Sequence, residues 1–331
     1  MAYFLGIDIG GTKSHALLTD VAGNAVGFAE AGPGNHEDVG YTGLIAILTE
    51  LVDSLERTTG IARGQIAGAG FGVAGYDWPS ERAATLEAIA ALRLTCPVDA
   101  VNDTIIGLLA GAEQGWGVAL VAGTSNNCRG WDRHHREGRV LGNGPWFGEH
   151  GGAAELVMRA VRDVSLAWTQ RGPQTRLTDA FIAYTGAQDA ADLLEGLSQE
   201  VYQLNADAAR LVVQVAQDGD PVAQAALRWT AEELGSLAVG VIRQLALQDE
   251  AFDVVLVGSL YNVGPLLMDP LRATILAEAP HAHLVRVEAP PVAGAVLLGM
   301  LAAGRETVAV RPAVVAAAQA AAATFREAAM P

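Results

Sequence analysis

Three short polar turns hold most of the chemistry this chain can offer. Asp8 sits in an apolar run (Phe4, Leu5, Ile7, Ile9) and is followed at once by Gly10-Gly11-Thr12-Lys13. Bare glycines let backbone N–H groups converge on an anion, Thr12 and Lys13 add donors, and Asp8 can hold a hydrated cation. The stretch reads as a phosphate grip with a magnesium site beside it. It also fits an ordinary two-glycine hairpin, with both central residues at positive φ and a solvated lysine. No helix follows the glycines, so the P-loop motif is not matched. Gly123-Thr124-Ser125 repeats the theme after a second apolar run, 118–122. Asn102-Asp103 stand where a short strand meets a helix start, the place where ligands of open α/β sheets collect. Asp103 there is either a cleft residue or a plain helix N-cap. Asn35, in Gly32-Pro-Gly-Asn-His36, suits a sugar hydroxyl and a turn equally well.

These turns need a scaffold, and the hydrophobic spacing supplies one. Strands are expected over 4–9, 15–18, 25–31, 65–74, 98–101, 118–122 and 128–131. Helices are expected from 38, over 81–94, 105–112 and 153–168, then 177–197, 199–217, 222–247 and 313–329. Strand–polar turn–strand units alternate in a way that brings Asp8 and Asp103 to one cleft. Gly70-Phe-Gly-Val-Ala-Gly75 matches G-x-G-x-x-G literally, but the next helix opens only after Pro79. With no helix N-terminus on the glycines, close backbone packing explains them better than a dinucleotide site. His134 and His135 lack a partner at ligand spacing and read as exposed strand residues.

With 331 residues the chain has room for two cores, and a formal net charge of −16 disfavours nucleic acid and anionic membranes as partners. Its two cysteines, Cys96 and Cys128, are too few for a disulfide framework, a zinc site or an iron–sulfur cluster within one chain. The first strand begins at once and every long apolar run is broken by Gly, Pro or charge. The expectation is a cytoplasmic protein with neither signal peptide nor transmembrane helix.

Taken in order, the motifs resemble the sugar kinase/heat-shock ATPase/actin superfamily. Within it they are similar to N-acetylglucosamine kinases and BadF/BadG/BcrA/BcrD-type ATPases. Gly6-Ile-Asp-Ile-Gly-Gly-Thr-Lys13 resembles the first phosphate motif, and Gly123-Thr-Ser-Asn-Asn-Cys128 the second. Val254-Val-Leu-Val-Gly-Ser-Leu-Tyr261 resembles the adenosine motif and Val292-Ala-Gly-Ala-Val-Leu-Leu-Gly299 the final hinge helix. Val73-Ala-Gly-Tyr-Asp77 lies in the first connecting segment. The chain also departs from the pattern. Glu149, His150 and Gly152 stand where a sugar-side loop commonly has Asp, Glu and Ser, Ala74 replaces a serine, and Ser125 replaces a glycine.

The resemblance implies an α/β fold of two ribonuclease H-like domains, the actin-like ATPase arrangement, with nucleotide bound between them. The expected division is 1–113 and 114–331, the last helix being a candidate to pack back on the first domain. It implies an ATP-dependent kinase acting on a hydroxyl of an amino sugar, N-acetylglucosamine or a relative. Asp103 is then the general base, and Asp8 holds Mg²⁺. Gly10, Gly11, Thr12, Lys13, Gly123, Thr124 and Ser125 grip phosphates, while Gly258 and Ser259 receive the adenosine. Asn35, Asp103, Asn127, Trp146 and Glu149 are the candidate sugar contacts. The helical insert after residue 153 carries no visible chemistry and offers core and a candidate homodimer surface. Two other readings fit the same hairpins: an ATPase that drives a partner protein without a sugar, and a nucleotide-binding protein that has lost catalysis.

Overall fold

The computed structural model describes residues 2–287 and 289–329. The opening apolar run forms β1 (Tyr3–Ile9), which pairs antiparallel with β2 (Ser14–Asp20), and β2 pairs in turn with β3 (Ala25–Ala31). Leu5, Ile7 and Ile9 on one face and Phe4 on the other are all buried, as in a strand covered on both faces. Helix α1 (His36–Thr59) follows; the Asn35 side chain caps its start and Gly60, at φ 72°, ends it. Leu44, Leu48, Leu51, Val52 and Leu55 form its buried stripe. Then come β4 (Ile66–Val73), α2 (Arg82–Ala90), β5 (Val98–Asn102) and α3 (Asp103–Gly111). The first sheet has the order β3-β2-β1-β4-β5, with β1, β4 and β5 mutually parallel.

The second half repeats this plan. Strands β6 (Gly117–Ala122), β7 (Asn126–Trp131) and β8 (Glu137–Arg139) form an antiparallel meander. Five helices intervene: α4 (Ala153–Trp168), α5 (Leu177–Thr185), α6 (Ala190–Ser198), α7 (Ala209–Gln217) and α8 (Pro221–Leu245). They lead to β9 (Phe252–Val257), α9 (Pro265–Glu278) and β10 (Ala282–Arg286). The second sheet reads β8-β7-β6-β9-β10, the same order as the first counted from its own meander, again with a parallel trio.

Two last helices close the chain on the first half. α10 (Val292–Ala302) lies backbone to backbone on the first sheet and on α3. An added Cβ on Gly70 would sit 2.2 Å from the Ala295 carbonyl, and one on Gly294 would sit 1.8 Å from that of Ile106. No side chain fits at that distance, which is why those glycines are there. α11 (Arg311–Ala329) packs on β3, where Phe325 meets Phe28 at 5.5 Å between ring centroids. Arg311 Nη2 donates to the Ala110 and Gly111 carbonyls at 2.7 and 2.6 Å, closing the C-terminal turn of α3.

Several expected boundaries shift for local reasons. The helix expected over 177–197 is two, because Gly186 ends α5 at φ 77° and Asp189 caps α6. Residues 199–208 are not part of the expected 199–217 helix; α7 starts only at Ala209, after a short turn capped by Asn205. α2 stops at Ala90, with Arg93 turned to φ 54°. Among the described residues no helix is long and apolar enough to cross a membrane.

Candidate functional site

At the carboxyl ends of the first sheet's parallel strands, Asp8, Asp77 and Asp103 lie within electrostatic reach of one another and of Arg129 from the second sheet, and a pocket lined by Asp77, Asn102 and Arg129 joins the two halves. The first turn differs from expectation. β1 and β2 are joined by four residues, Gly10–Lys13, and neither Gly10 nor Gly11 has positive φ. The glycines matter for space instead. An added Cβ on Gly10 would lie 2.6 Å from the Lys13 carbonyl, while Gly11 faces open space with nothing within 4 Å. Lys13 is not free either: Nζ sits 3.2 Å from Glu30 Oε2, and His15 Nε2 lies 3.0 Å from the same oxygen. Asp8, half-buried near the end of β1, has His15 Nδ1 3.9 Å away.

Asp103 opens α3, directly after Asn102 at the end of β5. Its carboxyl is pushed up to about 7. Burial is the largest cause, then the negative charges of Asp8 and Asp77, with Arg129 and the Thr104 N–H pulling the other way. A carboxylate that titrates near neutrality can accept a proton and release it again. Asp77, from the segment after β4, is buried and shifted upward chiefly by that burial, against the pull of Arg129. The electrostatic coupling of Asp8 to Asp103 shows that the fold brings the two together. The buried Arg129 pairs with Asp77 and Glu137 and attracts Asp103 as well, so negative charge is in excess. Among the described residues no three His, Cys, Asp or Glu side chains are grouped to hold a metal. A cation at Asp8 would take its remaining ligands from water and phosphate, which is how Mg²⁺ is usually held. The residues present fit that ion.

The first rim turn is held by Gly34 N–H on the Gly10 carbonyl at 3.1 Å, and the second is braced by the start of α4. The Ser125 carbonyl accepts from Gly123 N–H at 2.9 Å, and the Gly123 and Thr124 carbonyls accept from Ala153 and Ala154 N–H at 2.9 and 3.1 Å. The start of α4 is thereby satisfied by the loop itself. Beside it β9 ends in Gly258, at φ 120°, whose added Cβ would lie 2.2 Å from the Ala122 carbonyl. Only glycine permits β6 and β9 to end so close together. Tyr261, almost fully buried, donates to the Leu120 carbonyl at 3.1 Å and anchors the turn that follows Ser259.

Between these strand ends and α7 lies a cavity of about 500 Å³, lined by Gly123, Thr124, Ser259, Arg210, Gln214 and Gln217 among others. The helical insert therefore lends polar side chains to the wall of that cavity. Residues 210, 214 and 217 recur on the face of α7 opposite its buried Val212, Val215 and Ala216. That polar stripe is the signal by which sequence reasoning could have found them.

On the opposite side of the cleft the predicted sugar contacts divide. Asn127 Oδ1 accepts from Cys128 N–H at 2.8 Å, and a Cβ added on Gly142 would lie 3.5 Å from both Asn127 Nδ2 and Asp77 Oδ1. Asn127 thus faces the carboxylate cluster. Asn35 accepts from the Glu37 N–H at 3.1 Å as the α1 cap and abuts Gly75. Trp146 is 97% exposed on the turn Pro145–Phe147. Glu149 is placed otherwise than the sequence led us to expect. It is buried, and its oxygens accept from the backbone N–H groups of Leu141, Asn143 and Gly144 at 2.5, 2.8 and 3.3 Å. Its carboxylate folds the loop. Gly152 lies so near the second turn that an added Cβ would be 2.8 Å from Ser125 Cα, and a serine would not fit there as the loop stands. Asp77 and Arg129 are the residues that motif spacing missed: each looks like an ordinary surface charge until the two halves are brought together.

The sequence profile of the BadF/BadG/BcrA/BcrD ATPase family matches residues 5–299. The chain belongs to this family. It is 26% identical over 313 residues to the N-acetyl-D-glucosamine kinase of Dictyostelium discoideum, covering 90% of this chain and 97% of that one. It is 23% identical over 300 residues to the N-acetylmuramic acid/N-acetylglucosamine kinase of Clostridium acetobutylicum, covering 90% and 98%. A Chromobacterium violaceum structure described as a candidate N-acetylglucosamine kinase superposes with a TM-score of 0.64 at 23% identity, covering 90% and 99%. The α/β fold with two mixed five-stranded sheets is thus shared with that structure.

Proposed function

We propose that this family member is an ATP-dependent kinase that phosphorylates a hydroxyl of an amino sugar, N-acetylglucosamine or a close relative. The observation that carries the reading is Asp103: a carboxylate pushed up to about 7 at the end of β5, within electrostatic reach of Asp8 beside the first glycine turn and of Arg129 from the second half. The two curated relatives, both amino-sugar kinases matched over nearly their whole length, support the choice of substrate class.

Phosphoryl transfer asks a protein for in-line positioning, charge neutralisation and a base. Asp103 accepts the proton of the attacking sugar hydroxyl, help worth ~10²–10⁴-fold for a well-placed base. Backbone N–H groups and hydroxyls of Gly10–Lys13 and Gly123–Ser125 hold the phosphates, with Lys13 released from Glu30 or acting beside it. The cavity under Gly258 and Ser259 receives the adenosine, walled by α7. Asp8 holds Mg²⁺, which when bound neutralises phosphate charge. Asn127 and Asn35 face the acceptor sugar, and Glu149 shapes the loop that borders it. Closure of the halves excludes water, which would otherwise compete as acceptor.

A panel of glucosamine, N-acetylglucosamine, N-acetylmuramate and glucose with Mg·ATP tests the reading. The expected result is stoichiometric ADP and sugar phosphate with at least one amino sugar. ATP hydrolysis without any phosphorylated sugar would replace the kinase by an ATPase that works on a partner protein.

A further inference from the structure

This inference rests on the kinase reading and concerns what aims the base. Asp103 is the first residue of α3, so the direction of its carboxylate follows that helix's first turn. Asn102 sets the turn. Its Oδ1 accepts from the Thr104 N–H at 2.9 Å, and its Nδ2 donates to Asp77 Oδ1 at 3.1 Å and to the Tyr76 carbonyl at 3.2 Å. With both ends of the amide engaged, Asn102 has one orientation. Asp77 Oδ1 is itself held by Arg129 Nη2 at 2.7 Å, and Arg129 Nη1 lies 2.6 Å from Glu137 Oε1.

The chain of bonds thus runs from β7 and β8 of the second half, through Asp77 and Asn102 of the first, to the residue before the base. Asp77 and Arg129 are 8% and 2% exposed. A buried ion pair adds little net stability over apolar packing, because desolvation offsets the attraction. Its value lies in geometry. We infer that Asp77, gripped by Arg129 across the cleft, is a positioning residue for Asp103: through Asn102 it fixes the turn that aims the base. The aim then depends on the second half being docked.

The test compares Asp77→Ala and Asp77→Asn in two backgrounds, wild type and Asp103→Asn, with turnover followed by radiolabelled nucleotide and a melting curve for each protein. In the wild-type background Asp77→Ala should lower kcat by about 10²-fold, the cost of a misplacement near 1 Å, with nucleotide KM little changed. Asp77→Asn, which keeps an acceptor oxygen, should lose less. In the Asp103→Asn background neither should alter the residual turnover, because a residue that acts through the base has nothing left to act on. An equal loss in both backgrounds, or a nucleotide KM that moves with kcat, overturns the inference. If Asp77→Ala does not fold, Arg129 carries the test. Arg129→Lys keeps the charge on Asp77 and should retain more turnover than Arg129→Met, and equal losses overturn the inference. A wild-type protein that phosphorylates no sugar on the panel removes the kinase reading before any variant is compared, so the two failures are distinguishable.

Discussion

The two halves share one strand order and divide the chemistry between them. In the first, strand ends and the segments after them carry carboxylates: Asp8, Asp77 and Asp103. In the second, the corresponding ends carry glycines and hydroxyls, Gly123-Thr124-Ser125 and Gly258-Ser259, with the cation Arg129 reaching back. The rim turns are alike in exposure, and both Gly11 and Gly123 face open space; they differ in what holds them, the Gly10 carbonyl accepting from Gly34 N–H and the Gly123 and Thr124 carbonyls from the start of α4. Identical topology therefore leaves each half free to specialise. Carboxylates gather at the strand ends of the first half, where the proposed base and cation ligand stand, and the second half sets glycines and hydroxyls at its own.

The largest expected effect tests the acidic half. Asp103→Asn should lower kcat by ~10²–10⁴-fold while nucleotide still binds, because the second half is untouched. Wild-type kcat should rise with pH through about 7 as Asp103 loses its proton. Stability should run the other way. The folded carboxyl holds its proton up to about 7 against an ordinary value of 3.8, so the stability it contributes is lost as pH rises through that window. Asp103→Asn removes the loss, and its melting temperature at pH 8 should exceed that of wild type. A pH profile without an inflection near 7 would take Asp103 out of the base role.

The two rim turns should break in different ways. Gly258→Ala meets both the Ala122 carbonyl and a φ of 120°, and should cost ~1–3 kcal/mol of stability in urea titrations along with nucleotide binding. Gly11→Val meets nothing, so stability should stay within ~0.5 kcal/mol of wild type. Its side chain would occupy the open space over the turn, and calorimetry should show nucleotide affinity down by at least tenfold. Unchanged affinity in the folded Gly11→Val protein would leave the phosphate grip to the second turn alone.

Smaller effects separate the sugar and nucleotide sides of the second half. Glu149→Ala leaves three backbone donors without their acceptor. It should raise the sugar KM with little change in the nucleotide KM, and lower stability by ~1–3 kcal/mol. If the nucleotide KM moves instead, the Glu149 loop belongs to the other side of the cleft. Gln214→Ala, at the α7 wall, should change the nucleotide KM a few-fold and leave the sugar KM alone; the reverse pattern would remove the insert from the nucleotide site.

Much of this was legible in the residues. The strands of the first half, β6 and β7 of the second, the helix 153–168 and the ends of β1, β5 and β6 follow from periodicity and turn residues, because burial on both faces demands continuous apolar side chains; β8, β10 and α9 did not show in the spacing. The polar residues at those ends, Asp8, Asp103, Thr124 and Ser259, are conspicuous for the same reason. What spacing along the chain cannot carry is the partner of a side chain from a distant segment. Lys13 reads as a free cation until Glu30 is folded beside it, and Glu149 reads as a ligand until three N–H groups of its own loop close around it. Spacing predicts a positive-φ turn at Gly10 and Gly11, whereas the fold needs Gly10's lack of a Cβ beside the Lys13 carbonyl and leaves Gly11 in open space. Asp77 and Arg129, 52 positions apart, became a pair only when two separately built sheets met. Asp103 is lifted to about 7 first by its own burial and then by the charges of Asp8 and Asp77, while Arg129 of the other half pulls it back; all of these depend on the folded arrangement. The sequence by itself determined which groups stand at the strand ends; desolvation and charge across the cleft, which exist only in three dimensions, decided what those groups can do.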